Sequence, residues 1–268
     1  MSQFRTLELS DPACTPPGLQ FITVKSAALG RRANITLWTP PAAESARDLP
    51  LVLLLHGVFG SAWAWAFKGN AHGIASAMVE SGEIPPMAIA MPSDGLWGDG
   101  SGYACHADAD YERWIMEEVP AAVAEVLPAI SADSSLAISG LSMGGFGAMR
   151  LGARHADRLV AISAHSAVTR LADIAQFVEE PAEAFPSPPD GDLIDALRAA
   201  GSGLPPLRFD CGVGDELLPA NQLLHRQLSE AGIPHTYEEH PGAHTWAYWQ
   251  RHLPAALRFI GDLATRQS

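Results

Sequence analysis

The 268-residue chain has little positive charge, few cysteines and no long apolar run. Lysine and arginine total 17 against 30 aspartates and glutamates, a formal net charge of −13. No basic stripe is present that could neutralise phosphates, which argues against nucleic acid and against adhesion to anionic lipid. No apolar stretch approaches the length of a membrane span, and residues 1–10 carry no apolar core or cleavage pattern of a secretory leader. The three cysteines, Cys14, Cys105 and Cys211, are odd in number and far apart, with no C-x-x-C, so they read as free thiols of a reducing compartment. A cytoplasmic location is expected. Internal repeats and low-complexity tracts are missing too.

Apolar residues, by contrast, make up 47% of the chain and charged ones only 18%, enough for a substantial core. Apolar runs bounded by Pro, Gly or polar clusters predict strands over 19–26, 33–39, 51–56, 87–91, 135–140, 159–164, 207–212 and 235–240. The first two alternate and read as an antiparallel edge hairpin. Most later ones are nearly continuous, as in central strands covered on both faces. Helices are predicted over 71–81, 111–127, 146–155, 219–231 and 246–265, with Pro120 expected to kink the second or start a new helix. Strand–helix alternation implies an α/β fold with a mostly parallel, eight-stranded sheet and helices on both faces. Residues 1–268 read as one domain. The segment 169–206, rich in proline and with one short helical piece at 193–200, interrupts the rhythm and is expected to lie over the site.

Residues 140–144, Gly-Leu-Ser-Met-Gly, form G-x-S-x-G between a strand and a helix. That context turns the chain sharply and lifts the Ser142 hydroxyl clear of the sheet, with a helix N-terminus aimed at whatever reacts there. A serine hydroxyl needs a base, and the base needs an orienting carboxylate. In this topology they follow in the order Ser, acid, His. The acid should follow a late strand. Asp215 lies in the turn after 207–212, Asp210 lies within that strand, and Glu216 is the near competitor; Asp215 is preferred. His244 lies in a glycine-containing loop before the final helix and is preferred over His240 and His252. An oxyanion hole needs two N–H donors. Met143, after the nucleophile, offers one. Val58, in the turn His56-Gly57-Val58-Phe59-Gly60 after strand 51–56, offers the other, with His56 expected to hold that loop by hydrogen bonds.

Five stretches carry a resemblance: His56-Gly-Val-Phe-Gly-Ser61 with Trp65, Ala90-Met-Pro-Ser-Asp94, Gly140-Leu-Ser-Met-Gly-Gly-Phe-Gly-Ala-Met149, Cys211-Gly-Val-Gly-Asp215 and Gly242-Ala-His-Thr-Trp246. Together they resemble the α/β-hydrolase fold and, within it, the putative esterase (esterase D-like) family. That family includes S-formylglutathione hydrolases, feruloyl and acetylxylan-type esterases and mycolyltransferases. The resemblance implies a serine hydrolase with Ser142 as nucleophile, Asp215 as acid, His244 as base, and the backbones of Val58 and Met143 as oxyanion hole. S-formylglutathione hydrolases look like Gly-His-Ser-Met-Gly-Gly-His at the elbow, whereas this chain has Leu141 and Phe146 there. They also lack a His-Gly start to the oxyanion loop, which this chain has in His56-Gly57.

The expectation is therefore a carboxylesterase of small short-acyl esters working through an acyl-enzyme. Thioester hydrolysis or acyl transfer on the same residues is the alternative, and a catalytically idle binding module the second. Trp65, Trp97, Tyr103 and Trp246, with Trp63, fall in or beside loops that should surround the site, where aromatics line pockets. His106-Ala-Asp108-Ala-Asp110 has the look of ligand spacing, but Asp110 is expected to cap the following helix. No metal is expected, and with no phosphate loop or dinucleotide fingerprint, no cofactor.

Overall fold

The computed structural model describes residues 2–44, 46–94, 99–174, 177 and 191–265. Its centre is a single nine-stranded sheet. The strands are β1 (Leu7–Leu9), β2 (Leu19–Lys25), β3 (Arg32–Trp38), β4 (Leu51–Leu55), β5 (Ala88–Pro92), β6 (Leu136–Leu141), β7 (Ala161–His165), β8 (Leu207–Gly212) and β9 (Thr236–His240). They lie in the order β1-β2-β3-β5-β4-β6-β7-β8-β9. The first three pairings are antiparallel and the rest parallel. Among the described residues the sheet thus has nine strands, not eight. The additional β1 is three residues long, pairing Leu7 with Val24 and Leu9 with Ile22, too short to show a period of two.

Strand β4 shows why the sheet is sandwiched between helices. Its five residues, Leu-Val-Leu-Leu-Leu, are all buried. Successive side chains point to opposite faces: Leu51, Leu53 and Leu55 join one apolar core, Val52 and Leu54 the other. The first core takes Met116, Val119, Phe146, Met149, Leu193 and Leu224 from one helical layer. The second takes Ala71, Ala75, Met78, Leu253 and Leu257 from the opposite layer.

The helices are α1 (Ala64–Phe67), α2 (Ala71–Glu80), α3 (Tyr111–Arg113), α4 (Val119–Val126), α5 (Met143–Arg154), α6 (Leu171–Ile174), α7 (Leu193–Ala200), α8 (Leu218–Glu230) and α9 (Trp246–Ala264). A π-helical turn, Trp114–Glu118, joins α3 to α4 without a break, and Pro120, which has no N–H to donate back into that turn, sits in the first turn of α4. Asp110 caps α3 by accepting from the Arg113 N–H at 2.9 Å. Helix α5 begins at Met143, three residues before the expected start. Gly144 and Gly145 read as loop, yet they are helical because the helix start packs directly on neighbouring backbone.

Within 169–206, a bridge between Arg170 and Asp192 closes the base of the excursion, and α7 buries Leu193, Ala196 and Leu197. Pro181, Pro186, Pro188 and Pro189 lie outside the described residues, as does Trp97. No described helix is long and apolar enough to cross a membrane.

Candidate active site

Ser142 is the single residue between β6 and α5. Its backbone stands at φ 53°, ψ −119°, a left-handed conformation costing about 1–3 kcal/mol in a non-glycine residue. The strain is held by its surroundings. The Ser142 N–H donates to the His165 carbonyl at 2.9 Å, and its own carbonyl accepts from Phe146 and Val168. A Cβ on Gly140 would collide with the Gly144 carbonyl, and one on Gly144 with the carbonyls of Leu55 and His56. The motif's glycines are thus a steric requirement of the turn.

Asp215 and His244 come from different loops stitched together at the ends of β8 and β9. The Val213 N–H donates to the His240 carbonyl and the Gly214 N–H to the Gly242 carbonyl, both at 2.8 Å. The His244 Nδ1 then lies 3.1 and 3.0 Å from the two Asp215 carboxylate oxygens, and its Nε2 lies 3.1 Å from Ser142 Oγ. A carboxylate only accepts, so Nδ1–H donates to Asp215 and the Nε2 lone pair faces the serine hydroxyl. Burial would raise the Asp215 pKa, but hydrogen bonds from His244, the Leu217 N–H and the Ser166 hydroxyl outweigh it and hold the carboxyl below its usual range.

Of the competing residues, Asp210, His240 and His252 do not border the space over Ser142, whereas Glu216 does. Asp210 is fully buried within β8, where it accepts from His165 Nδ1 at 2.9 Å, Arg208 at 2.8 Å and the Tyr248 hydroxyl at 2.8 Å. Burial opposes its ionisation, yet His165, Arg208 and Tyr248 bring its pKa down to about 2. Glu216 is exposed. His240 stacks on His252, with ring centroids 4.4 Å apart.

The loop after β4 approaches the serine closely: a Cβ on Gly57 would lie 3.1 Å from Ser142 Cβ. His56 braces this loop. Its Nδ1–H donates to the Gly57 carbonyl at 2.7 Å and its Nε2 accepts from the Asp94 N–H at 3.3 Å. The N–H groups of Val58 and Met143 donate to no acceptor among the described residues.

A cavity of about 630 Å³ opens over Ser142 and His244, lined by Val58, Leu141, Trp246 and Glu216 among others. Two larger surface grooves lie away from these residues. The expected aromatics divide. Trp246 and Trp63 line the cavity. Trp65 does not: it is 1% exposed and donates its indole N–H to the Leu55 carbonyl at 2.8 Å. Tyr103 does not either: fully buried, it donates its hydroxyl to the His56 carbonyl at 3.0 Å. Both therefore brace the loop after β4 from behind. Sequence reading missed Phe59 and Trp249, which do line the cavity. For Phe59 the signal in the sequence was its place in the glycine-flanked turn His56–Gly60, and in the structure it is 69% exposed there, a large aromatic available as a contact surface.

Residues 26–260 match the family described as Putative esterase. The chain belongs to the putative esterase family. This esterase is 25% identical to an acetyl esterase of Caldicellulosiruptor saccharolyticus over 237 residues, covering 81% of this chain and 85% of that one. It superposes on a ferulic acid esterase with a TM-score of 0.74 at 24% identity, covering 97% and 99% of the two chains. It superposes on the S-formylglutathione hydrolase FrmB of Staphylococcus aureus with a TM-score of 0.75 at 20% identity, covering 94% and 99%. The fold is that of the α/β-hydrolases, and by family the protein is a carboxylic ester hydrolase. The elbow of this esterase is apolar on both sides: Leu141 lies on the cavity wall and Phe146 is buried in the core.

Proposed function

We propose that this esterase is a cytoplasmic, single-domain serine carboxylesterase acting on small short-acyl esters through Ser142, His244 and Asp215. One observation carries the reading: Ser142 Oγ, the His244 ring and the Asp215 carboxylate are linked in series at 3.1 and 3.0 Å beneath an open cavity. Ser142 Oγ attacks the ester carbonyl carbon while His244 Nε2 takes its proton. The resulting oxyanion accepts from the N–H groups of Val58 and Met143. One such donor contributes about 10²–10³-fold to kcat. Collapse breaks the ester bond, and the alkoxide leaves with the proton from His244. Water then attacks the acyl-enzyme, His244 again taking the proton, and the acid is released with Ser142 restored.

Short acyl chains are favoured by what crowds the carbonyl position. Phe59, Trp63, Trp246 and Trp249 all border the cavity, and the described part of the excursion offers α6, α7 and a 3-10 turn at Gly201–Gly203, none a long apolar lid helix. The similarity to an acetyl esterase points the same way. The three cysteines are free, in keeping with a reducing compartment. A panel of p-nitrophenyl esters with S-formylglutathione as a further substrate tests this. The kcat/KM should peak at acetate or butyrate, exceed that for S-formylglutathione, and show no jump at a lipid–water interface. A preference for laurate or for the thioester overturns it.

A further inference from the structure

Behind Asp215 lies a pair of residues with no place in the sequence reading of the site. Ser166 is the first residue past β7. It is fully buried and stands at φ 47°, a left-handed backbone conformation that glycine would take without strain. A serine kept there at a steric cost implies that its side chain is needed. Its hydroxyl accepts from the Trp249 indole N–H at 3.2 Å. The indole N–H is donor only, so this bond occupies a lone pair of Ser166 Oγ and leaves the hydroxyl proton for one of two neighbours, the Asp215 carboxylate or the Cys211 sulfur, of which the acceptor-only carboxylate is the stronger acceptor. Trp249 also meets His244 edge to face, with ring centroids 4.9 Å apart and planes at 88°. One indole thus touches the base directly and reaches the acid through one hydroxyl.

We propose that Ser166 and Trp249 are positioning residues for the Asp215–His244 pair. The Trp249 N–H fixes the Ser166 hydroxyl rotor, Ser166 O–H and the Leu217 N–H hold the Asp215 carboxylate, and the Trp249 ring limits rotation of the His244 imidazole. The inference rests on the role proposed above for Ser142, His244 and Asp215. The titratable groups facing Asp215 are His244 and, from β8, Cys211. Burial and the charges of Asp215 and Asp210 push the Cys211 thiol up to about 12, so it stays neutral through an ordinary assay range.

The test uses full-length Ser166→Gly, Trp249→Phe and the double variant, with Ser142→Ala as reference and p-nitrophenyl acetate as substrate. Glycine relieves the positive φ but leaves the buried Trp249 indole N–H without its acceptor, so the folded fraction is measured beside activity. Phenylalanine keeps a ring on His244 and removes the N–H. Ser166→Gly should lower kcat about tenfold, the scale of one lost charge-assisted hydrogen bond, with KM within about twofold because Ser166 does not line the cavity. A carboxylate relieved of one donor attracts the imidazolium more strongly, so the acid limb of the kcat/KM profile should move to higher pH. Trp249→Phe should move it in the same direction. The double variant should be no worse than Ser166→Gly, since both act through one hydroxyl. A Ser166→Gly enzyme with wild-type kcat and a superimposable pH profile overturns the proposal. So does a loss of activity matched by loss of folded protein with the profile unmoved. Full activity in Ser142→Ala would instead overturn the role of the serine itself.

Discussion

Two neighbouring aspartates, both buried and both bonded to a histidine, should fail in opposite ways when each is changed to asparagine. Asp210 is an interior strut. It joins Arg208 on its own strand, His165 on β7 and Tyr248 on α9, and Arg208 also reaches Glu238 on β9. Asp210→Asn removes the charge and leaves Arg208 and His165 facing a neutral amide in a dry interior. Breaking a buried ion pair on one side costs about 3–5 kcal/mol, and because Asn keeps one acceptor oxygen the lower end, about 3 kcal/mol, is expected. Its effect on kcat of the folded protein should be within about tenfold. Asp215 lies beyond the strand and its partner is the half-exposed His244. Asp215→Asn should shift stability by about 1 kcal/mol or less but lower kcat by about 10³–10⁴, because the amide no longer enforces Nδ1–H on His244. Urea unfolding followed by circular dichroism gives the first quantity, and steady-state rates on the folded fraction give the second. A folded Asp210→Asn enzyme with the larger loss of kcat, or an Asp215→Asn enzyme within about tenfold of wild type, would refute the division of roles.

Other outcomes follow from the same geometry. Gly144→Ala places a Cβ against the Leu55 and His56 carbonyls, so a thermal melt should show a loss of about 3 kcal/mol or more, or no folded protein. Gly57→Ala meets the Leu141 and Ser142 side chains at 2.8 and 3.1 Å, with the Leu141 carbonyl farther off at 3.6 Å; the loop should shift by tenths of an ångström and kcat should fall about 10–100-fold with KM little changed, since a displaced donor acts on the oxyanion and not on ground-state binding. For Glu112, burial opposes ionisation but His155, Arg150 and Arg154 bring its pKa down to about 2, as His165 and Arg208 do for Asp210. Carboxyls depressed on folding stabilise the protein above their unfolded pKa and lose that contribution as pH falls, so the unfolding free energy from urea titrations should drop between about pH 5 and pH 2 by an amount on the order of 2–3 kcal/mol per group, and the midpoints with it. A midpoint flat across that window would contradict both ion-pair assignments.

What could be read from the sequence was what periodicity and a strained turn leave on a chain. Central strands such as β4 and β5 are written as nearly continuous apolar runs because both faces are covered. The elbow is written as glycines because its backbone approaches leave no room for a Cβ. Asp215 could be preferred to Asp210 because position relative to a strand end separates a loop carboxylate from an interior one. Three residues of β1 carry too little pattern. The start of α5 was read late because glycine at a helix start looks like loop until the backbone it packs on is known. The aromatics were the hardest. Trp65 and Tyr103 lie in segments flanking the site, but whether an aromatic there faces the cavity or the underside of a loop depends on where its indole N–H or hydroxyl finds a buried carbonyl. For these two the acceptors are Leu55 and His56. For Trp249 on α9, a helical period cannot reveal that the indole N–H is spent on Ser166.

The most direct test of the central claim is covalent. Full-length protein is treated with a fluorophosphonate probe, digested and mapped by mass spectrometry, and p-nitrophenyl acetate turnover is measured on the same preparation and on Ser142→Ala. Labelling is expected on the peptide carrying Ser142, with no labelling in Ser142→Ala and a kcat lowered by about 10⁴-fold or more in that variant. Labelling at another residue, or a folded Ser142→Ala protein that retains more than about a tenth of wild-type turnover, would contradict the claim.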